Sequence, residues 1–400
     1  QGGVQSGDGV EGFVGEVRPL ALEIKMATKE DSHIVRIRQE LEDDYSNDDL
    51  YNINSWGADL SFRELITMYD EGELAKPEIQ RHYVWDKTEA SRFIESLLMG
   101  LPVPSIFLAR HDGEKKLIVD GYQRIMSVRD YVRGIFSTDG KIFRLSNTDK
   151  INTRWRNKAF SELPDDAQRK IRSSTIHAII FEQKHPKNSD TSLFQVFERI
   201  NTGGRSLTAQ EIRNCVYQGA FNTALIEMNS KPSWRTLYGI ETEDKRMRDI
   251  EFILRFFALD SEEIRQKTEG KVSLKKMLNE QMSSLNELSP DLITSKKEEF
   301  ENCIEKILAA MGFTAFMNIS EKDVLIQKFH PTIFDSIAVA TNIAIKTGID
   351  PAGIPDIKNR RTNLLKDPEY KEFIRIETMN IPHIQGRISK AAKHLYNINI

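Results

Sequence analysis

The stretch KKLIVDGYQRIMSVRDYVRG, residues 115–134, runs from a short apolar segment into a helical pattern through Asp120 and Gly121, with Gln123 and Arg124 just inside. That order suits anion binding. The amino end of a helix presents free N–H groups and the positive end of the macrodipole, and an arginine beside it adds a bidentate donor for a phosphate. Asp120 complicates this, because a carboxylate next to a phosphate repels it unless a cation lies between them or the acid takes a proton or a sugar hydroxyl. Three roles stand for Asp120: ligand of a metal ion, base towards water, or helix cap. The cap has independent support, since Asp120 and Gln123 have the N-cap and N3 spacing of a capping box.

Four further stretches could carry chemistry. In IQRHYVWDKTEASRFIESLLMG, Gln80 and Arg81 precede a helix expected over 87–99, so an arginine again sits in an extended segment before a helix, with Tyr83 and Trp85 close by. In FQVFERINTGGRSLTAQEIRN, Gly203 and Gly204 stop one helix and Thr208 with Glu211 caps the next. An αα-hairpin explains those glycines without a ligand. It does not explain the polar density of Glu198, Arg199, Asn201, Thr202, Arg205, Glu211 and Arg213 around one turn. The Walker spacing is absent. In KINTRWRNKAF, Lys150, Arg154, Arg156 and Lys158 surround Trp155, which suits phosphate contacts flanking a stacking aromatic on DNA, or equally a solvated loop anchored by one tryptophan. KNRRTNLLK, residues 358–366, is a second basic run with the same two readings.

Taken in order, IQRHYVW, VPSIFL, IVDGYQRI, FERINTGGRSLTAQEIRN and RDIEFILRFFAL resemble the domain of unknown function 262 family, the D-G-Q-Q-R family, over residues 58–260. The resemblance implies a first part similar to the ParB and sulfiredoxin nucleotide-binding fold. It is shared with the amino-terminal part of GmrSD-type modification-dependent restriction enzymes and with phosphorothioate-sensing defence proteins. It implies binding of a nucleoside triphosphate, GTP or ATP, with magnesium, often with hydrolysis, coupled to DNA interrogation or cleavage in the restriction of foreign DNA.

Carried over by position, Asp120, Gly121, Gln123 and Arg124 match the family motif, and Gln80 and Arg81 match its early Q-R pair. On that pattern Arg81 and Arg124 hold phosphates, Asp120 holds magnesium or the attacking water, and Asn201, Thr202, Gly203 and Gly204 close the pocket. Asp120, Gln123 and Arg124 form the candidate catalytic set. Tyr122 departs from the pattern, standing where the family has a second glutamine. A phenol cannot copy an amide's paired donor and acceptor, so binding is expected to outlast hydrolysis.

Nuclease members carry a His-Asn-His type domain marked by an Asp-His pair, and no Asp-His dipeptide occurs in this chain. His330, His383 and His394 have no metal-like companion at i, i+4. Cleavage would then fall to a separate nuclease or defence partner. Sulfiredoxin chemistry is excluded, because the first 214 residues contain no cysteine. The leading expectation is a triphosphate-binding switch. Two alternatives stand beside it: a DNA- or partner-binding scaffold with a vestigial nucleotide site, and a metal-dependent ParB-like nuclease acting at Asp120.

The expected architecture is α+β. A ParB/sulfiredoxin-like small mixed sheet with helices occupies residues 58–188, and a larger all-α domain occupies 189–400. Ser61 with Glu64 and Asp86 with Glu89 have capping-box spacing, and PSIFLARHDGEKKLIV reads as strand, Asp112-Gly113 turn, strand. STIHAIIFEQ reads as a buried strand of the same sheet, with His177 a partly buried side chain rather than a ligand. Residues 1–57 read as a leader and acidic arm, partly disordered or added by cloning, and the first organised unit begins near Leu60.

At 400 residues and 39% hydrophobic content the chain can bury a substantial core. No apolar run is long enough for a membrane span, and cytoplasm is the expected location. A net charge of −4 argues against coating nucleic acid by bulk attraction, so any DNA contact must come from a local basic face. Cys215 and Cys303, the two cysteines, are expected to pack as small apolar side chains. Oligomer formation is left open.

Overall fold

The computed structural model describes residues 33–37, 53–75, 85–110, 115–183, 191–200 and 207–400. A five-stranded sheet organises the first half. Its strands are β1 (Ile53–Ser61), β2 (Leu74–Ala75), β3 (Ile106–Arg110), β4 (Lys116–Asp120) and β7 (Thr175–Gln183). The order is β1-β7-β3-β4-β2. Strands β7 and β3 run parallel, as do β4 and β2, while β1–β7 and β3–β4 are antiparallel. A separate ribbon pairs β5 (Ile135–Phe136) with β6 (Lys141–Ile142).

Four helices pack with this sheet: α1 (Phe62–Asp70), α2 (Lys87–Met99), α3 (Tyr122–Arg133) and α4 (Asp165–Ser173). Their starts follow the sequence signals. Ser61 Oγ accepts from Glu64 N at 3.2 Å, and Asp86 with Glu89 forms a complete capping box.

Side chains alternate across the pleat, and here each face meets a different core. Ile106, Leu108, Ile118, Ile176, Ala178 and Ile180 join the core under α1 to α4. Ala109, Leu117, Val119 and Phe181 join the core of the second half. With both faces covered, a strand needs apolar residues at every position, which is why these segments read as continuous apolar runs rather than as alternation.

The second half contains α5 (Thr191–Ile200), α6 (Ala209–Val216), α7 (Ala220–Asn229), α8 (Pro232–Tyr238), α9 (Arg248–Leu259) and α10 (Glu262–Gln266). It continues with α11 (Leu274–Asn286), α12 (Pro290–Met311), α13 (Pro331–Lys346), α14 (Ile357–Lys366), α15 (Pro368–Phe373) and α16 (Ile381–Tyr396). Trp234 lies at an aromatic centre, its ring 5.4 Å from Phe334 and 5.7 Å from Phe300. Beside it Asp335 is fully buried and accepts from both Arg255 and Arg387, which ties α9, α13 and α16 together. Cys215 and Cys303 are buried, as their scarcity suggested. Among the described residues no helix is long and apolar enough to cross a membrane.

Two expectations need correction. The sheet begins at Ile53, inside the stretch taken as an acidic arm. Strand β1 pairs with β7 over nine residues but is an edge strand exposed along much of its length, so INSWGADLS carries no apolar alternation. His177 is exposed, not partly buried: its Nδ1 lies 2.8 Å from Asp59 Oδ1 across the β1–β7 pair. The second half is the larger helical region expected, and it also carries one hairpin, β8 (Met317–Ile319) with β9 (Leu325–Phe329), to which Ile34 adds a parallel bridge.

Candidate functional site

The junction singled out in the sequence is a strand running directly into a helix: β4 ends at Asp120 and α3 starts at Tyr122. Gly121 makes the turn with φ 104°, and a Cβ there would lie 2.2 Å from Ile106 Cγ2. Backbone conformation and contact with β3 thus both require glycine. Just before it the ladder is irregular. Phe107 pairs with Asp120 and Leu108 with Ile118, which leaves Val119 as an extra residue on β4. Such a bulge bends the strand and re-aims the side chain that follows it.

The expected Asp120–Gln123 capping box does not form. Gly121, not Asp120, is the N-cap, no side chain caps the helix, and its first turn carries no acid. Asp120 belongs to the strand, one residue too early for the box, and both side chains are used elsewhere. Asp120 Oδ2 accepts from Arg124 Nη2 at 2.9 Å, and Arg124 Nη1 donates to the Ser105 carbonyl at 2.8 Å. Gln123 Oε1 accepts from the Trp85 backbone N–H at 3.2 Å. The Asp120 side chain is 39% exposed and Arg124 16%, so the carboxylate faces solvent with the guanidinium fixed behind it.

Tyr122 takes no part in that exposed cluster. It is 4% exposed, its ring centroid lies 6.3 Å from that of Tyr69, and burial together with the Tyr69 hydrogen bond pushes its phenol pKa up. The side chain at the family's glutamine position packs into the core, and a ligand at the junction would meet its backbone N–H rather than its ring.

The other predicted site residues fall into two groups. Gln80, Arg81, Asn201, Thr202, Gly203 and Gly204 lie outside the described residues, as does the Asp112-Gly113 turn. Their described neighbours are ordered by ordinary means. Trp85 packs on Phe93 at 5.7 Å, Thr208 and Glu211 form the expected capping box, and Glu211 pairs with Arg246. Much of the polar density near residue 200 is structural. Arg213 is fully buried and donates to Asn279 at 2.9 Å, and Glu198 pairs with Lys275 at 2.7 Å.

In the basic segment Trp155 is 7% exposed, with the Arg154 guanidinium 4.5 Å above its ring. Arg156 donates to the Ile151 carbonyl and pairs with the exposed Asp149. Trp155 therefore anchors the turn, and its face is taken before any base could stack on it. Lys150 and Arg154 are exposed and Lys158 half-buried. The second basic run is partly consumed as well: Arg361 is buried, donating to the Ala315 and Thr314 carbonyls.

Two features of the site were missed in the sequence. Ser105 contributes only its carbonyl, which no residue-type pattern reports. The Gln123–Trp85 link needed the knowledge that α2 and α3 start side by side. Among the described residues no group of three His, Cys, Asp or Glu side chains could hold a metal ion. A magnesium ion here would take Asp120 as its one described protein ligand, and a hard oxygen donor fits that ion when phosphate oxygens and water complete the shell.

Residues 62–218 match the family model of the GmrSD restriction endonuclease, N-terminal domain. This stretch is similar to the amino-terminal domain of that restriction endonuclease. The matched segment includes the β4–α3 junction and the helices on both sides of residue 200. No curated protein matches the chain, and no solved structure does.

Proposed function

We propose that the chain is a nucleoside-triphosphate-binding switch of a restriction or defence system, with the phosphates at the β4–α3 junction. The carrying observation is a helix start without side-chain cap, flanked by an arginine that Ser105 and Asp120 hold in place. An incoming phosphate competes with Asp120 for Arg124 and gains the N–H groups of the first turn of α3. The freed Asp120 carboxylate then holds magnesium or orients a water. Gln123 carries the change to Trp85 and the start of α2. Arg81, Gln80 and the Asn201 to Gly204 turn complete the pocket on this reading, DNA meets the outer face of the Lys150 to Lys158 turn, and cleavage belongs to a partner.

Calorimetric titration of the whole chain with GTP, ATP and CTP, with and without magnesium, tests the reading. Saturable heat with at least one triphosphate is expected, weakened about tenfold or more in Arg124→Ala. Absence of heat from folded protein removes the proposal. One observation favours the scaffold alternative, namely that Arg124 is already satisfied by protein partners. Asp120→Asn separates the two, because it loosens the internal pair: a switch loses metal dependence, whereas a scaffold shows no binding in either form.

A further inference from the structure

A cavity of about 800 Å³ lies far along the chain from the junction, between the segment 33–37, the β8–β9 hairpin and the turn after α15. Segment 33–37 forms one wall by adding to the hairpin: Val35 N donates to Phe329 O at 2.9 Å, and Phe329 N to His33 O at 2.7 Å. The volume is in the range of small-molecule sites.

His330 lines this cavity although it is only 5% exposed. Its tautomer follows from its neighbours. Thr332 Oγ1 lies 3.0 Å from the Ile374 carbonyl and 3.2 Å from His330 Nδ1. The hydroxyl has one proton and the carbonyl can only accept, so Thr332 donates to Ile374 and receives the Nδ1 proton. Nε2 is then an acceptor, and among the described residues nothing donates to it. His330 lines the cavity and this nitrogen is not sealed off from it, so a donor on a bound molecule can reach it.

Two further polar groups have a proton to give. Asn318 Oδ1 is taken by Ile319 N at 2.8 Å, which leaves its amide N–H₂ to give. Ser320 Oγ accepts from Val324 N at 3.1 Å, which leaves its hydroxyl proton. Arg36, Arg375 and Glu321 are the charged groups along its described lining, and Arg36 already has a partner of its own. Among the described residues the Arg375 guanidinium has no ion-paired or hydrogen-bonded partner. Val35, Ile319 and Ile326 supply the apolar wall.

We propose that this cavity binds a small amphipathic organic anion: a phosphate or carboxylate on an apolar or heterocyclic body that also carries an N–H or O–H donor. The anion meets Arg375, the body lies on the aliphatic wall, and the donor meets His330 Nε2. The inference shares no residue with the triphosphate reading and stands without it.

AMP and indole-3-acetate serve as probes of the two anion types, titrated into the whole chain by calorimetry, with inorganic phosphate and octanoate as controls lacking the body or the donor. At least one probe should bind with a Kd below about 1 mM. Binding should weaken about tenfold in Arg375→Ala and in Ile326→Glu, two exposed positions whose folding is checked by circular dichroism, and stay unchanged in Arg124→Ala. Loss of the signal in Arg124→Ala but not in Arg375→Ala would assign it to the junction and overturn the proposal. So would silence of both probes, or equal affinity for inorganic phosphate or octanoate.

Discussion

Gly121 shows how one residue type can be demanded twice. Its positive φ and the 2.2 Å approach of Ile106 to any added Cβ act together. Gly121→Ala should therefore lose about 2–4 kcal/mol of stability in urea unfolding, and a loss under about 1 kcal/mol would show that β3 can move aside. His330 belongs to the same scale. Burial, reinforced by Arg387 and Arg375 and opposed by Asp335, lowers its pKa from 6.5 to about 4. Between those values the unfolded chain binds the proton and the folded chain does not. Stability should be complete above pH 6.5 and fall as the pH drops towards 4, by on the order of 3 kcal/mol. His330→Gln should flatten that part of the profile of urea midpoint against pH. An unchanged profile would show that His330 is not the group whose protonation drives the loss.

Among the elements, capping signals were the most legible. Ser61, Asp86 and Thr208 each start the helix their spacing announced, because a side chain that accepts from N2 or N3 depends only on local sequence. Asp120 failed the same test for a non-local reason. The ladder with β3 holds it in the strand, and Arg124 on the next turn competes for its carboxylate. Strand β1 was invisible for a similar reason, since its nine pairs are specified by β7 and not by its own pattern. The buried Arg255–Asp335–Arg387 group is equally non-local, joining three helices far apart in the sequence. Asp335→Ala should strand two arginines in the core and cost roughly 3–5 kcal/mol, read as a lowered denaturation midpoint. A change below about 1 kcal/mol would mean that water reaches the site.

At the scale of the whole molecule the sheet is the shared part. The switch in periodicity suggested a division near residue 188, and Ala109, Leu117, Val119 and Phe181 of the sheet pack into the core of the second half. Val119 directly precedes Asp120, so a change at the junction is felt on the helical side through one peptide unit. The two cores should accordingly unfold together. Variants that keep only Trp155 or only Trp234, one in each core, should give superimposable urea curves; midpoints separated by more than about 0.5 M would show independent units. The candidate site was legible in residue type at Asp120, Gly121, Gln123 and Arg124. Its wiring was not, because the Ser105 carbonyl and the Trp85 N–H are backbone atoms supplied by other elements.

A practical consequence follows for anyone who trims the chain to the stretch resembling restriction enzymes. A piece ending at residue 218 would lack most of the helices that roof the sheet, and one starting at residue 62 would lose its outermost strand. Greasy side chains and an open row of backbone groups along β7 would meet water at once, an invitation to stack with neighbours. Such a fragment should collect in inclusion bodies when the intact chain stays in the supernatant.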